Sequence, residues 1–149
     1  VNAERIAEGR GIEVVRSTHN APGDYPHLVS VSLTGGGRTI ELGGTLFGER
    51  DLRVVRFGGF RLEFRPEGKL LFLENLDVPG VVGKVGTLLA EAGINIADIH
   101  LARTDRTDGG EREAMAVLRL DQEPSDDLLE RLHALNVVRW ARLIDLGKR

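Results

Sequence analysis

A helix start flanked by two polar side chains is the part of this 149-residue sequence best suited to binding chemistry. Residues 75–96 read N-L-D-V-P-G-V-V-G-K-V-G-T-L-L-A-E-A-G-I-N-I. Pro79 suits the beginning of a helix, and the amides around residues 80–83 have no intrahelical acceptor, so they favour a carboxylate. Asp77 offers a charge for an ammonium group, and Asn95 offers an amide. These groups predict an amino-acid site rather than a phosphate or metal site, although Asp77 also fits a simple turn and Asn95 a helix end.

Catalytic and metal-binding chemistry finds no support elsewhere in the chain. The four histidines lack metal-ligand spacing, no serine lies in a nucleophile elbow, and no G-x-G-x-x-G follows a strand. Cysteine is absent, which fits a reducing cytoplasm. A net charge of −3 argues against nucleic-acid binding, and no apolar run is long enough to cross a membrane. The sequence predicts a cytoplasmic binding module with no cofactor or metal, although fold class alone does not decide function.

The elements that must position this site form a regular alternation in the second half of the chain. Apolar residues recur at helical spacing after Pro79, and Gly93 ends that helix. The predicted order is strand 69–75, helix to Gly93, strand 94–102, polar loop 103–112, strand 114–120, a helix capped by Ser125 and strand 137–146. This strand–helix–strand–strand–helix–strand order predicts a ferredoxin-like βαββαβ unit.

The first half is predicted to contain mainly strands, so that the whole chain is of the α+β class. The predictions are a helix over 2–10 capped by Asn2, strands 12–15, 28–33 and 38–47, a hairpin over 52–65, and a connection at 65–68. Gly58-Gly59 supply the positive φ angles of a two-residue hairpin loop. With that loop, Phe57 is expected opposite Phe60, and Val55 opposite Leu62.

The polar side of this hairpin carries a concentration of arginine. Arg56, Arg61 and Arg65 are expected there, relieved only by Glu63. A solvated strand face accounts for such a pattern. An anion site is the alternative, because like charges on one ribbon repel unless a ligand or partner neutralises them.

Both halves resemble one family. Residues 69–146 resemble an ACT domain, a small-molecule-sensing module, in the string L-D-V-P-G-V-V-G-K-V-G-T-L-L-A-E-A-G-I-N-I-A. The first half resembles the intervening domain of long-form D-3-phosphoglycerate dehydrogenase in V-N-A-E-R-I-A-E-G-R-G-I-E-V, G-T-L-F-G and R-V-V-R-F-G-G-F-R-L-E-F. The resemblance implies a partial α/β intervening domain over 1–66 followed by a ferredoxin-like ACT domain over 69–146.

The resemblance also implies a ligand and an assembly. The family oxidises 3-phosphoglycerate with NAD in upstream domains, so this chain is expected to be regulatory and not itself an enzyme. L-serine is expected at an ACT dimer interface formed by edge strands, within a tetrameric parent, and to inhibit it by feedback. The implied serine-binding residues are Asn75, Asp77, Pro79, Gly80, Val81, Val82 and Asn95. Asp77 would pair the ammonium, and Asn95 would come from a second subunit.

The sequence also allows a second binding site and two other functions. In relatives a basic cluster accepts phosphate or a phosphorylated effector, and Arg53 and Arg65 match basic positions of that cluster. The candidate anion site here comprises Arg53, Arg56, Arg61 and Arg65. Phe60 stands where some relatives carry arginine, which departs from that pattern. The alternatives to serine sensing are a ligand-independent oligomerisation module and the ACT-containing subunit of an iron–sulfur L-serine dehydratase.

Overall fold

The computed structural model describes residues 2–18, 25, 27–104 and 111–147 of the chain. The elements in this part are α1 (Ala3–Glu8), β1 (Leu28–Gly35), β2 (Arg38–Phe47), β3 (Asp51–Phe57), β4 (Phe60–Phe64), β5 (Lys69–Leu76), α2 (Val81–Glu91), β6 (Ile96–Arg103), β7 (Glu113–Leu120), α3 (Asp126–His133) and β8 (Val138–Asp145). They form two four-stranded sheets in which every pairing is antiparallel. The predicted α+β class is confirmed.

The second half has the predicted ferredoxin-like topology. Its sheet has the strand order β6-β7-β5-β8, which leaves β6 and β8 as edges. Helices α2 and α3 cover one face, because Val81, Val85 and Leu89 recur on one side of α2 and pack on the sheet. Ser125 caps α3 as predicted, its Oγ accepting a hydrogen bond of 3.3 Å from the amide of Leu128.

The hairpin formed by β3 and β4 covers the other face of this sheet. Its apolar residues share one core with β5 and β7, and the ring of Phe72 lies 5.0 Å from that of Phe57 and 5.7 Å from that of Phe64. Strand β4 also packs against the face of β6 through this core, which includes Ala102. The hairpin is therefore packed against the sheet that carries the predicted site, and the two halves of the chain share a hydrophobic core.

Two predictions for the N-terminal residues are wrong in detail. Helix α1 begins after Asn2, but the Asn2 side chain makes no capping hydrogen bond. Residues 12–18 form neither helix nor strand. A strand exists only through hydrogen bonds to a neighbour, and within the described residues the edge strand β1 pairs only with β2. The alternation of Ile12 and Val14 therefore predicted a strand that lacks a partner here.

The hairpin register is confirmed at the turn and wrong further from it. Gly58 and Gly59 have φ of 57° and 90°, and Phe57 lies opposite Phe60. An irregularity then shifts the ladder between Val54 and Arg56, so that Val54 pairs with Phe64 and Val55 lies opposite both Leu62 and Glu63 instead of forming a regular pair with Leu62. Such bulges insert an extra residue and cannot be inferred from alternation.

Residues 105–110 of the predicted polar loop lie outside the described residues. Within the described part of the chain, no helix is long and apolar enough to span a bilayer.

Candidate amino-acid site at the start of α2

The start of α2 has the free amides that a carboxylate ligand requires. Gly80 is the N-cap residue with φ of 90°, a conformation that favours glycine. Among the described residues no side chain caps this end, and the amides of residues 81–83, in the first turn, lack an intrahelical partner. Pro79 lies one residue before the cap rather than inside the first turn, and Val82 is exposed beside it. This end of the helix is open to a ligand.

Asp77 already has two partners within the chain. Its backbone amide donates to the carbonyl of Arg112 at 2.8 Å, which joins it to the start of β7. Its Oδ1 atom lies 3.1 Å from Nε of Arg103, the last residue of β6. The Asp77 side chain is 17 % exposed and that of Arg103 is 75 % exposed. The carboxylate is therefore held in place, with a guanidinium on its solvent side that the sequence analysis did not foresee.

Asn75 lies next to the helix start but has a local partner. It is buried, and its Nδ2 donates to the carbonyl of Leu76 at 2.7 Å. Together with Val81, Val82 and Ile99 it lines a cavity of only about 10 Å³. That volume holds about one water molecule. A bound amino acid must therefore lie outside this cavity, on the exposed side of α2.

Asn95 lies at the opposite end of the sheet from Asp77. Ile96, next to Asn95, pairs with Leu120 at one end of β7. Arg103 pairs with Ala114 at the other end, where Ala114 also pairs with Asn75 of β5. Six residues of β5 and of β7 separate these two levels of the sheet, which corresponds to roughly 20 Å. One chain therefore cannot bring Asn95 and Asp77 together.

The partners of Asn95 are at its own end of the sheet. Its Nδ2 donates to Oδ2 of Asp121 at 2.7 Å, and its amide donates to Oε1 of Gln122 at 3.1 Å. The side chain is exposed beside the free edge of β6, so it remains accessible to a neighbouring molecule.

The four hairpin arginines form two groups rather than one. Arg53 and Arg65 both contact Asp51, at 2.8 Å and 3.1 Å, and Arg53 also contacts Glu63 at 3.0 Å. Hydrogen bonds from these guanidinium groups lower the pKa of Asp51 to about 2, and the Asp51 carboxylate in turn raises the pKa of Arg53. The expectation that only Glu63 relieves the arginines is therefore wrong. The prediction missed Asp51, the first residue of β3. Asp51 lies two positions before Arg53, so both side chains are on the same face of the strand.

Arg56 and Arg61 form the second group. They are directly opposite each other in the ladder, nearer to the Gly58-Gly59 turn. Both have interactions within the chain. The structure thus separates them from the pair that shares Asp51.

A polar cleft between the hairpin and the sheet contains two basic residues that sequence reasoning missed. This hairpin cleft, of about 290 Å³, is lined by Arg53, Phe64, Arg65, Glu67, Leu70, Asp98, His100 and Arg119. His100 lies 3.1 Å from Asp98, and within the described residues Arg119 has no ion pair. The orientation of Arg119 could have been predicted from the sequence, because it alternates with Met115 and Val117 on the face of β7 that packs on the hairpin.

Metal ligands are not assembled in the described ranges, where no three His, Asp or Glu side chains converge on a point that could hold an ion.

Comparison with known proteins identifies both halves of the chain. The ACT domain family matches residues 69–137, and the D-3-phosphoglycerate dehydrogenase intervening domain family matches residues 1–58. D-3-phosphoglycerate dehydrogenase of Bacillus subtilis (strain 168) is 32% identical over 146 residues, which are 98% of this chain and 27% of the relative. The enzymes of the same name from Archaeoglobus fulgidus and Mycobacterium tuberculosis are each 30% identical, over 98% and 99% of this chain and 27% and 28% of their own length.

The chain thus spans about a quarter of the length of the curated relatives it matches, and their catalytic domains are absent from it. Residues 69–137 are similar to ACT domains, and residues 1–58 are similar to the intervening domains of D-3-phosphoglycerate dehydrogenases.

Proposed function

We propose that this chain is an amino-acid-sensing regulatory region that pairs with a second copy through β6 and binds L-serine across the seam between them. The parent protein would be a D-3-phosphoglycerate dehydrogenase, with NAD bound by domains outside this chain, acting in the cytoplasm and inhibited by serine. The observation that carries the proposal is the separation of Asp77 and Asn95 along one sheet. A complete site needs both, and a symmetric partner supplies the missing one.

The seam follows from the free edge of β6. An unpaired edge strand presents backbone donors and acceptors that another strand can satisfy. If two β6 strands pair antiparallel about a two-fold axis, the first residues of one strand meet the last residues of the other. The partner subunit's Asn95 then approaches Arg103 and Asp77. Ile99 and Leu101 are exposed on β6, so this pairing also covers apolar surface.

The ligand contacts follow from the charges at the helix start. The amides of residues 81–83 take the carboxylate, and the partially buried Asp77 takes the ammonium. The side chain of the partner subunit's Asn95 releases its hydrogen bond to Asp121 and forms one with the ligand instead. Serine rather than another amino acid is proposed on the resemblance to the dehydrogenase family.

Calorimetric titration of L-serine into the wild-type chain and Asp77→Ala tests the assignment. Loss of a charge-assisted contact corresponds to about 1.5–3 kcal/mol, or roughly 10- to 150-fold weaker binding. Arg16→Gln serves as a control, because Arg16 pairs with Glu4 in the N-terminal segment. Equal affinity of Asp77→Ala and wild type would place serine elsewhere.

Thermal unfolding with and without L-serine distinguishes a serine-sensing region from a module that only assembles. Ligand at 100 times its Kd adds about 2.7 kcal/mol to the free energy of unfolding, so the thermal midpoint rises. An oligomerisation module without a ligand would show an unchanged midpoint while remaining dimeric. The dehydratase alternative is not retained, because the matched relatives are phosphoglycerate dehydrogenases.

We also propose that the hairpin cleft accepts an anion such as inorganic phosphate. The supporting observation is Arg119, which projects into the cleft beside Arg53 and Arg65. Because Asp51 and Glu63 already neutralise Arg53 in part, Arg119 is the cation that this proposal depends on. Phosphate titration with Arg119→Gln tests it, and unchanged affinity of this variant would exclude the cleft.

A further inference from the structure

We infer that Arg103 sets the affinity of the seam site by competing with the ligand's ammonium group for Asp77. The inference rests on the proposed function, because it requires that an amino acid uses this carboxylate. It assigns a role to a residue at the end of β6 that no motif singles out.

The contact geometry makes Arg103 the movable member of the pair. The backbone amide of Asp77 donates a hydrogen bond to the carbonyl of Arg112, and the Asp77 side chain is mostly buried. The Arg103 side chain, in contrast, is largely exposed to solvent. A ligand arriving from the seam therefore meets a carboxylate that already carries a cation. An ammonium and a guanidinium at one carboxylate repel each other. Binding of the ammonium consequently favours release of Arg103.

A cavity next to Arg103 contains the groups that receive it. This turn cavity, of about 440 Å³, is lined by Gly58, Gly59, Phe60, Arg61, Glu74, Arg103, Thr104 and Glu113. Glu74 accepts a hydrogen bond of 2.6 Å from Nε1 of Trp140, which fixes one carboxylate at the wall of the cavity. Glu113 is a second carboxylate in this lining. Both carboxylates lie on the hairpin face of the sheet, so a guanidinium released from Asp77 on the α2 face reaches them around the end of the edge strand β6.

The position of the turn cavity links the site to the first half of the chain. Its far wall is the Gly58-Gly59 turn of the hairpin that packs on the sheet. Arg103 moves between the carboxylate of the seam site and a cavity walled by this turn. Ligand binding is thereby communicated to the intervening-domain half through one side chain.

The test compares L-serine binding by the wild-type chain, Arg103→Gln and Arg103→Lys, with Arg16→Gln as a control for charge removal. An exposed ion pair contributes about 0.2–1 kcal/mol, so Arg103→Gln is expected to bind serine roughly 1.4- to 5-fold more tightly. Arg103→Lys retains the competing charge and should stay near wild type. At 1 M salt, where the Debye length is roughly 3 Å, the difference between wild type and Arg103→Gln should shrink.

Amide chemical shifts give an independent measurement. In wild type, serine should shift the amides of Gly58 and Gly59, and in Arg103→Gln these shifts should be lost although serine binds. Weaker binding by Arg103→Gln would mean that Arg103 contacts the ligand, and equal binding would mean that it does not compete. Either result overturns the inference while the serine site stands. Absence of serine binding in every variant overturns the proposed function and this inference together.

Discussion

Replacing Leu101 by alanine is expected to dissociate the dimer while leaving the fold intact. Leu101 lies on the edge strand β6 and is 57 % exposed in the single chain. Full burial of a leucine side chain contributes about 1.5–3 kcal/mol, so covering the exposed part contributes about 1–2 kcal/mol per subunit. A two-fold interface uses the residue twice. The dimer therefore loses about 2–4 kcal/mol, and its Kd rises on the order of 30- to 900-fold.

Leu33→Ala is the matched control for this experiment. Leu33 is 60 % exposed but lies on β1 of the other sheet, away from the seam. Neither substitution removes a buried contact, so each should change the free energy of unfolding by less than about 0.5 kcal/mol. Both variants are thus folded and differ only in the surface they alter.

Sedimentation equilibrium across a range of protein concentrations gives the Kd of dimerisation for wild type and both variants. The expected result is a weakened dimer for Leu101→Ala and an unchanged one for Leu33→Ala. Dissociation by Leu33→Ala with no effect of Leu101→Ala would refute the reasoning and place the interface on the first sheet. Serine binding should weaken in parallel with dimerisation, because each site needs two subunits.

Three further predictions concern the stability of the fold. The folded-state pKa of Asp51, about 2, is below its ordinary value of 3.8. The stability that Asp51 contributes is therefore fully present above pH 4 and lost as pH falls towards 2, so urea unfolding of Asp51→Asn should depend less on pH in this range. Leu89→Ala, at a fully buried position of α2, should lower the free energy of unfolding by about 2–5 kcal/mol in urea titrations, and a loss below 1 kcal/mol would contradict the packing described. Ser125→Ala removes the cap of α3 and should cost about 0.5–2 kcal/mol in the same measurement, with Ser125→Asp as the conservative control.

The elements of the second half follow closely from sequence because two local signals agree there. Helical spacing from Val81 to Leu89 predicts both α2 and the face it buries, and Gly93 ends the helix through its positive φ of 71°. The strands of the sheet were predicted to within two residues at each end. Residues 12–15 show the limit of such reasoning, because alternation indicates that a segment can form a strand but not whether a partner is present.

The site was predictable in its residue types but not in its partners. The open helix start and the position of Asp77 follow from the Asp-x-Pro-Gly turn. The contact of Asp77 with Arg103 depends on the register of three strands, which places the end of β6 level with the end of β5. The contacts of Asp51 with Arg53 and Arg65 likewise depend on tertiary geometry. Sequence distance carries no information about such pairs.

A mixing experiment tests the shared site most directly. Asp77→Ala and Asn95→Ala each remove one half of every site, so neither homodimer should bind L-serine with wild-type affinity. In a dimer of one chain of each kind, one of the two sites combines an intact Asp77 with an intact Asn95. Random exchange makes about half of the dimers mixed, so the mixture should recover about a quarter of the wild-type sites at wild-type affinity. Recovery of no sites after full subunit exchange would contradict a serine site shared across the β6 seam.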